Sequence, residues 1–394
     1  MKQLPAKAVR ITPDDGQWFF GYYDIPAFDS TGSRHLAMRV NFWDRLPEKD
    51  DIAELYVIDL KTGEKEKFAE TTAWCFQQGC FLQWLPNSED TVIWNTRKNN
   101  ACGYACVIKN LKTGKERTID RPIANVSPTG KHALSINFDR MFDFRPGYGY
   151  AGRTDDWKND NHPSNDGIYL IDLETGNFRL ILSLQTLWDL TGGFFGGKDQ
   201  KIMINHINFN TDGTRFAFLL RNFSNSGWKS AIITANTDGS DVFVLSDYAY
   251  ASHYYWVSPS VIAFHSSGLE LGDMGNQLYE LTDQTHTGKA VDPSFFLFDG
   301  HISYSPNREY LLYDSYPKAD GCRELYLYDA VTRRGGLLGR FRCASYPTID
   351  IRCDLHPVWS PTGKMISIDS VYEGFRGMYT FDVTDAMHAL RSEE

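Results

Sequence analysis

The chain has 394 residues, 42% of them hydrophobic and 14% aromatic, and a formal net charge of −10. It is too apolar to be disordered and too acidic for a duplex-binding surface, which needs a basic stripe against phosphates. No run approaches the ~18 apolar residues of a membrane-spanning helix.

The opening MKQLPAKAVRITPDD lacks the apolar stretch of a signal peptide. A cytoplasmic protein is expected, with no nucleic-acid or membrane partner, as a monomer or homodimer. The cysteine count is seven, an odd number that suits free thiols or metal ligands in a reducing compartment better than a disulfide frame.

Along the chain one phrase recurs: an apolar strand, a turn with Ser-Pro or Asp-Gly, and a second apolar strand. It reads AFDSTGSRHLAM at Gly32, LQWLPNSEDTVIW at Pro86, ANVSPTGKHALSI at Gly130 and INFNTDGTRFAFL at Gly213. It continues as YYWVSPSVIAF at Pro259, ISYSPNREYLLYD at Pro306 and PVWSPTGKMISID at Gly363. Each turn couples two period-2 strands, as in an antiparallel hairpin. A second phrase usually follows, as in LYVIDLKTGEKEKF or IYLIDLETGNFRLI. Two hairpins make a four-stranded blade, and the repeat of roughly 43 to 56 residues, with one longer gap between Gly130 and Gly213, is near the ~40–50 of a propeller blade. The expectation is an all-β fold: one seven-bladed β-propeller over residues 1–394 with four-stranded antiparallel blades. The early segment AKAVRIT supplies the outer strand of the last blade and removes its open edge. The Gly-, Asp- and aromatic-rich stretch at about 138–167 is expected as a long loop over one face of the ring.

In four consecutive repeats a histidine lies seven positions before the same turn position: His206, His253, His301 and His356. Equivalent positions in a propeller lie at equal height, so these imidazoles are expected to converge at one mouth of the central channel. Near the last two lie further ligand types. His301, Cys343, Cys353 and His356 make a tetrahedral set for zinc. His301, His356 and Asp354 make a set suited to manganese or another borderline cation. Spacing alone does not separate the two. Strand alternation puts Asp354 and His356 on one side, with Cys353 opposite if the run is extended. Aromatic and cationic residues are expected at the same mouth: Tyr22, Tyr23, Asp24, Tyr254, Tyr255 and Trp256, and from the long segment Arg145, Tyr148, Tyr150, Arg153 and His162. Flat aromatic faces and guanidinium forks suit an acidic sugar.

At these residues the sequence resembles the oligogalacturonate lyases and their TolB-like propeller relatives. The segments carrying the resemblance are NHINFNTDG, SHYYW, GHISYSPNREYLLYDS and DLHPVWSPTGKMISIDSVYEG. The resemblance implies a metal-assisted β-elimination on a uronic-acid-containing oligosaccharide or polysaccharide. It implies that the general base falls on His253 and a manganese ligand on His301. The second histidine of the family's His-x-His-Pro segment falls on His356, and the first is replaced by Asp354. The family's glutamine ligand falls on Ile351, which cannot bind metal. Its essential arginine aligns near Ala231, so Arg221 or Lys229 must pair with the substrate carboxylate. His206 and Tyr254 are left to position the sugar or protonate the leaving oxygen. Cys343 and Cys353 resemble instead features of zinc-bearing propeller ulvan lyases. Two rival readings remain: a propeller glycoside hydrolase, with carboxyl candidates Asp24, Asp44, Asp354 and Glu373 and no spacing that selects a pair, and a non-enzymatic propeller that binds sugar or protein around a structural zinc.

Overall fold

A computed structural model describes residues 1–195, 199–223, 228–246, 251–266 and 277–392. Seven four-stranded antiparallel sheets follow one another along the chain. Blade one comprises Gln17–Phe19, Arg34–Val40, Ala53–Asp59 and Lys65–Thr71. The innermost strands of blades two and three are Gln83–Trp84 and Asn125–Val126. Those of blades four to seven are Ile202–Phe209, Ala251–Ser258, Ile302–Tyr304 and Val358–Trp359. The fold is the expected seven-bladed propeller.

In six of the seven repeats the hairpin turn holds one residue in the left-handed region, the exception being the Ser258–Val261 turn of blade five. Glycine fills it in four blades (Gly32, Gly130, Gly213 and Gly363), whereas Asn87 and Arg308 fill it in blades two and six at φ of 63° and 61°. Glycine carries no Cβ penalty there, and asparagine tolerates the conformation better than most residues. The repeated Gly was therefore a backbone signal, and the Pro phrases without it kept the turn by other means.

Ring closure also follows the expectation. Val9 and Arg10 pair with Thr380 and Tyr379, so the start of the chain completes the blade formed by Val358–Trp359, Met365–Ser370 and Gly377–Asp382. Thr12 extends the seam, its hydroxyl accepting from the Met378 amide at 3.1 Å.

The stretch after residue 137 is not a plain loop. Phe138–Phe144 is an α-helix, capped by the Asn137 side chain, which accepts from the Arg140 amide. The helix buries Phe138 and Met141, and Arg140 pairs with the fully buried Asp155 at 3.2 Å. A capping residue with apolar side chains three apart gives one helical face to bury. Two further helices, Leu184–Thr191 and Thr384–Arg391, have eight residues each. Among the described residues no helix is long and apolar enough to cross a membrane.

Asp369, on the second strand of blade seven, accepts from the Phe20 amide at 3.1 Å. Burial pushes its carboxyl up from 3.8 to about 7, against the opposing effect of that hydrogen bond and of Arg376. Between those values the folded state holds a proton that the unfolded state has released, so this group's contribution to stability falls as pH rises from about 4 to about 7. The Asp369→Asn variant lacks that slope. Its stability relative to the parent, measured by urea unfolding, should be more favourable at pH 8 than at pH 5; an equal difference at both would contradict the assignment.

Candidate active site at the histidine rim

The four histidines meet because each begins or interrupts the innermost strand of its blade at the same level. In blade four the pairing steps from Asn205 opposite Leu219 to Ile207 opposite Phe218, leaving His206 as the extra residue of a bulge. His253 falls in a similar shift, between Ala251 and Tyr254. Bulges re-aim a side chain out of the sheet. His206 and His356 also hold φ of 44° and 42°, values a non-glycine residue seldom adopts. All four are buried. The His253 and His301 ring centroids lie 4.2 Å apart, and those of His301 and His356 4.5 Å apart.

Blade one completes the cluster. Its innermost strand leaves the sheet after Phe19 and rejoins at Ala27, whose carbonyl accepts from the Leu36 amide. The excursion carries Tyr22 and Tyr23 among the histidines. The Tyr22 ring lies 5.0, 5.7 and 4.9 Å from those of His206, His301 and His356. The Tyr23 hydroxyl donates to the Tyr254 carbonyl at 2.8 Å. Tyr254 stacks on His206 at 4.4 Å and donates its own hydroxyl to the carbonyls of His206 and Ala217. With its proton so committed, and its pKa raised well above 10 by burial, Tyr254 supports His206 and is a poor proton donor to a substrate.

Carboxylates orient three of the imidazoles. His301 Nδ1 lies 3.0 Å from Asp314, which also accepts from the His301 amide at 2.8 Å. His253 Nδ1 lies 3.0 Å from Asp299. His206 Nε2 lies 2.6 Å from Asp24, which Asn208 also reaches at 2.8 Å. A carboxylate on one ring nitrogen fixes the tautomer and leaves the other nitrogen as an acceptor or metal ligand. His301 Nε2 and His356 Nε2 are buried and have no hydrogen-bond partner.

His301, Asp354 and His356 offer ligand atoms that all lie within 4.8 Å of one another. Burial, and then the charge of His253 on His301 and of His301 on His356, holds both histidines well below 6.5 and so neutral, the form that binds metal. Burial alone would raise Asp354, but Arg323 and Arg352 outweigh it and keep the carboxylate ionised. Both guanidiniums are ion-paired with Asp354, Arg352 at 2.7 Å, yet neither carboxylate oxygen accepts a well-aligned hydrogen bond. Two orphaned imidazole nitrogens and an ionised carboxylate fit a divalent cation by donor type. The two arginines balance Asp354 and Asp314, so the charge of the pocket adds little to the cation's affinity.

Beyond the histidines the mouth is cationic. Arg221 is 8% exposed, and its Nε has no partner. Burial, then the charge of nearby Arg145, lowers its pKa from 12.5. Arg145 lies over the Tyr148 ring at 4.4 Å and over Trp228 at 4.8 Å. The Tyr148 hydroxyl accepts from Arg352 at 3.0 Å. Among the described residues no carboxylate pairs with Arg221; a buried guanidinium so placed is costly, and an anionic ligand would relieve that cost.

Of the residues expected at the mouth, the structure gathers His206, His253, His301, His356, Asp354, Tyr23, Asp24, Tyr254, Arg145 and Arg221. Others stand elsewhere. Lys229 donates to the Phe194 carbonyl at 3.1 Å, so Arg221 is the arginine in place. Tyr150 is a core residue, stacked on Phe138 at 4.4 Å and bonded to Asn95. His162 stacks on Trp188 at 3.9 Å and bonds the Gln200 carbonyl. Arg153 pairs with Asp139. Tyr255 alternates away from Tyr254 and packs on Tyr304. The Cys343–Cys353 zinc set is not assembled: among the described residues the ligand group is His301, Asp354 and His356 alone. Cys343 follows the outermost strand of blade six, Arg334–Arg342, and burial pushes the Cys353 thiol up to about 12. Of the glycosidase carboxyls, Asp24 is bonded to His206 and Asp354 held by two arginines at the mouth, while Glu373 is paired with Arg10 at 2.9 Å.

Asp314, Asp299, Arg323 and Arg352 escaped the sequence reading. Arg352 and Asp299 carried a signal, each two residues before a residue already singled out and so on its side of an extended chain. Arg323 carried none.

No family model and no curated protein matches the chain. Solved structures do. The oligogalacturonate lyase from Vibrio parahaemolyticus superposes with a TM-score of 0.65 at 15% identity, covering 97% of each chain. An oligogalacturonate lyase in complex with manganese superposes with a TM-score of 0.67 at 14% identity, covering 97% of this chain and 96% of the other. The chain therefore has the propeller fold of the oligogalacturonate lyases, end to end. At this identity the likeness is one of fold.

Removing one partner of a buried ion cluster leaves the others uncompensated, at about 3–5 kcal/mol. Asp354→Ala should therefore lower unfolding stability by about that amount in metal-free buffer. A change under about 1 kcal/mol, as for an exposed pair, would show that Arg323 and Arg352 do not depend on Asp354.

Proposed function

We propose that the rim is the active site of a lyase that cleaves an acidic oligosaccharide of the oligogalacturonate type by β-elimination. The observation that carries this reading is the placement of His253, oriented by Asp299, 4.2 Å from His301 at a mouth that also holds Arg221, which has no ion-pair partner among the described residues. The manganese complex of a protein with this fold adds support for metal assistance.

The chemistry needs three things at a uronate: a base for the proton on C5, neutralisation of the adjacent carboxylate, and exclusion of competing water. His253 supplies the base. With Nδ1 donating to Asp299, Nε2 is the free acceptor, and the aspartate stabilises the imidazolium that forms. Arg221 pairs with the carboxylate, in a buried setting where the interaction is strong. His301, His356 and Asp354 would hold the cation. A divalent ion bound there would stabilise the negative charge that builds on the carboxylate as C5 loses its proton. The C4–O bond then breaks, a C4=C5 double bond forms, and solvent protonates the departing oxygen. His206, held between Asp24 and Tyr254, and Tyr23 shape the sugar site.

Incubation with di- and trigalacturonate and manganese should produce the ultraviolet absorbance of an unsaturated uronate. His253→Ala should lower the rate by ~10²–10⁴-fold, the usual contribution of a positioned base, while manganese binding followed by electron paramagnetic resonance persists. Absence of unsaturated product from the parent protein, or full activity in the variant, would rule the reading out.

A further inference from the structure

A second cavity, of about 420 Å³, opens between blades two and three. None of its lining residues belongs to the histidine rim. Its walls include the Trp157 and Tyr169 rings, the Arg121 guanidinium, the Asn137 amide and the carboxyls of Asp139 and Asp166. Arg121 lies over Tyr169, its guanidinium carbon 3.2 Å from the ring centre, with a buried Nε that has no hydrogen-bond partner. No aromatic ring among the described residues stacks on Trp157, which is half-buried.

The polar groups of this cavity are unevenly satisfied. Asp139 is held by the Tyr104 hydroxyl at 2.7 Å and by Arg153 at 3.0 Å. Asp166 is 3% exposed, and the only side chain bonded to it among the described residues is Asn137, at 2.8 Å. Burial raises the pKa of both carboxyls, more than their hydrogen bonds lower it. Arg121 and Asp166 thus share a cavity without forming an ion pair. A ligand that joins them must donate to one and accept from the other, and a pair of hydroxyls does both.

Charge selects among hydroxylated ligands. Four carboxylates line the cavity; Asp120 is paired with Lys98, and Asp139 and Asp156 with Arg153, which leaves Asp166 as the one without an ion-pair partner among the described residues. A uronate would meet like charge there, whereas a neutral ring would not. Aromatic faces together with a few polar groups, in a volume within the usual range for small ligands, complete the requirements of a sugar subsite.

We propose that the cavity between blades two and three binds a neutral sugar unit, through its hydroxyls to Asp166 and Arg121 and through its apolar face to Trp157. This site is separate from the rim and does not depend on the lyase reading.

The test uses the full chain labelled with 5-fluorotryptophan, with the Trp157 resonance assigned from Trp157→Phe. Methyl β-D-galactopyranoside and methyl β-D-glucopyranoside are titrated in turn, and methyl α-D-galacturonoside serves as the acidic counterpart. At least one neutral glycoside should shift the Trp157 resonance saturably while the uronoside leaves it in place. Arg121→Gln, at a partly exposed position, should weaken that binding about tenfold or more, the loss expected for a charge-assisted hydrogen bond. No shift with either neutral glycoside would overturn the proposal. So would an equal response to the uronoside, an unchanged affinity in Arg121→Gln, or a shift confined to Trp228 at the rim.

Discussion

Closing seven sheets into a ring forces their innermost strands to stand around one axis at matched heights. Everything at the rim depends on that constraint. A residue type repeated at one register position is scattered along the sequence but concentrated in space. Four histidines separated by 47, 48 and 55 residues become neighbours with ring centroids as close as 4.2 Å. The seam between Val9–Arg10 and Gly377–Asp382 matters to function for the same reason. An open ring would let blade seven move, and with it Asp354 and His356.

Within that frame, the electrostatics divide the rim into parts with different tasks. Asp314 and Asp299 hold His301 and His253 by one nitrogen and free the other. Arg323 and Arg352 keep Asp354 ionised in a place where burial would otherwise protonate it. The same two arginines also oppose a cation, so the site is not a deep electrostatic trap, and its affinity must come from donor geometry. Arg221 lies near Tyr22 and Tyr148, and among the described residues no carboxylate pairs with it. A cation group and a buried guanidinium at one mouth suit a ligand that carries a carboxylate. This accounts for the excess of buried charge better than stability does, since buried ion pairs are weak contributors to folding.

Much of this was legible in the sequence because repeats carry register. The hairpin phrases marked the blades, AKAVRIT the closing strand, and the spacing of seven before each turn the level of the histidines. Less was legible where tertiary contact decides. Tyr150 and His162 lie in a segment rich in site-like residues, yet Phe138 and Trp188 draw them into packing. Cys343 and Cys353 sit close in sequence to His356, but strand alternation and the outer position of Cys343 separate them from it. Arg323 reaches Asp354 from another blade, and no local pattern announces such a contact. The choice of Arg221 over Lys229 likewise required knowing which one is buried beside Tyr22 and Tyr148.

The proposed cation site of His301, His356 and Asp354 at the mouth of the ring is open to direct observation. Anomalous diffraction at the manganese edge, from crystals grown with manganese, tests it most directly. One strong peak is expected, bounded by His301 Nε2, His356 Nε2 and the Asp354 carboxylate. An absence of density there, or a peak held by other residues, would contradict it.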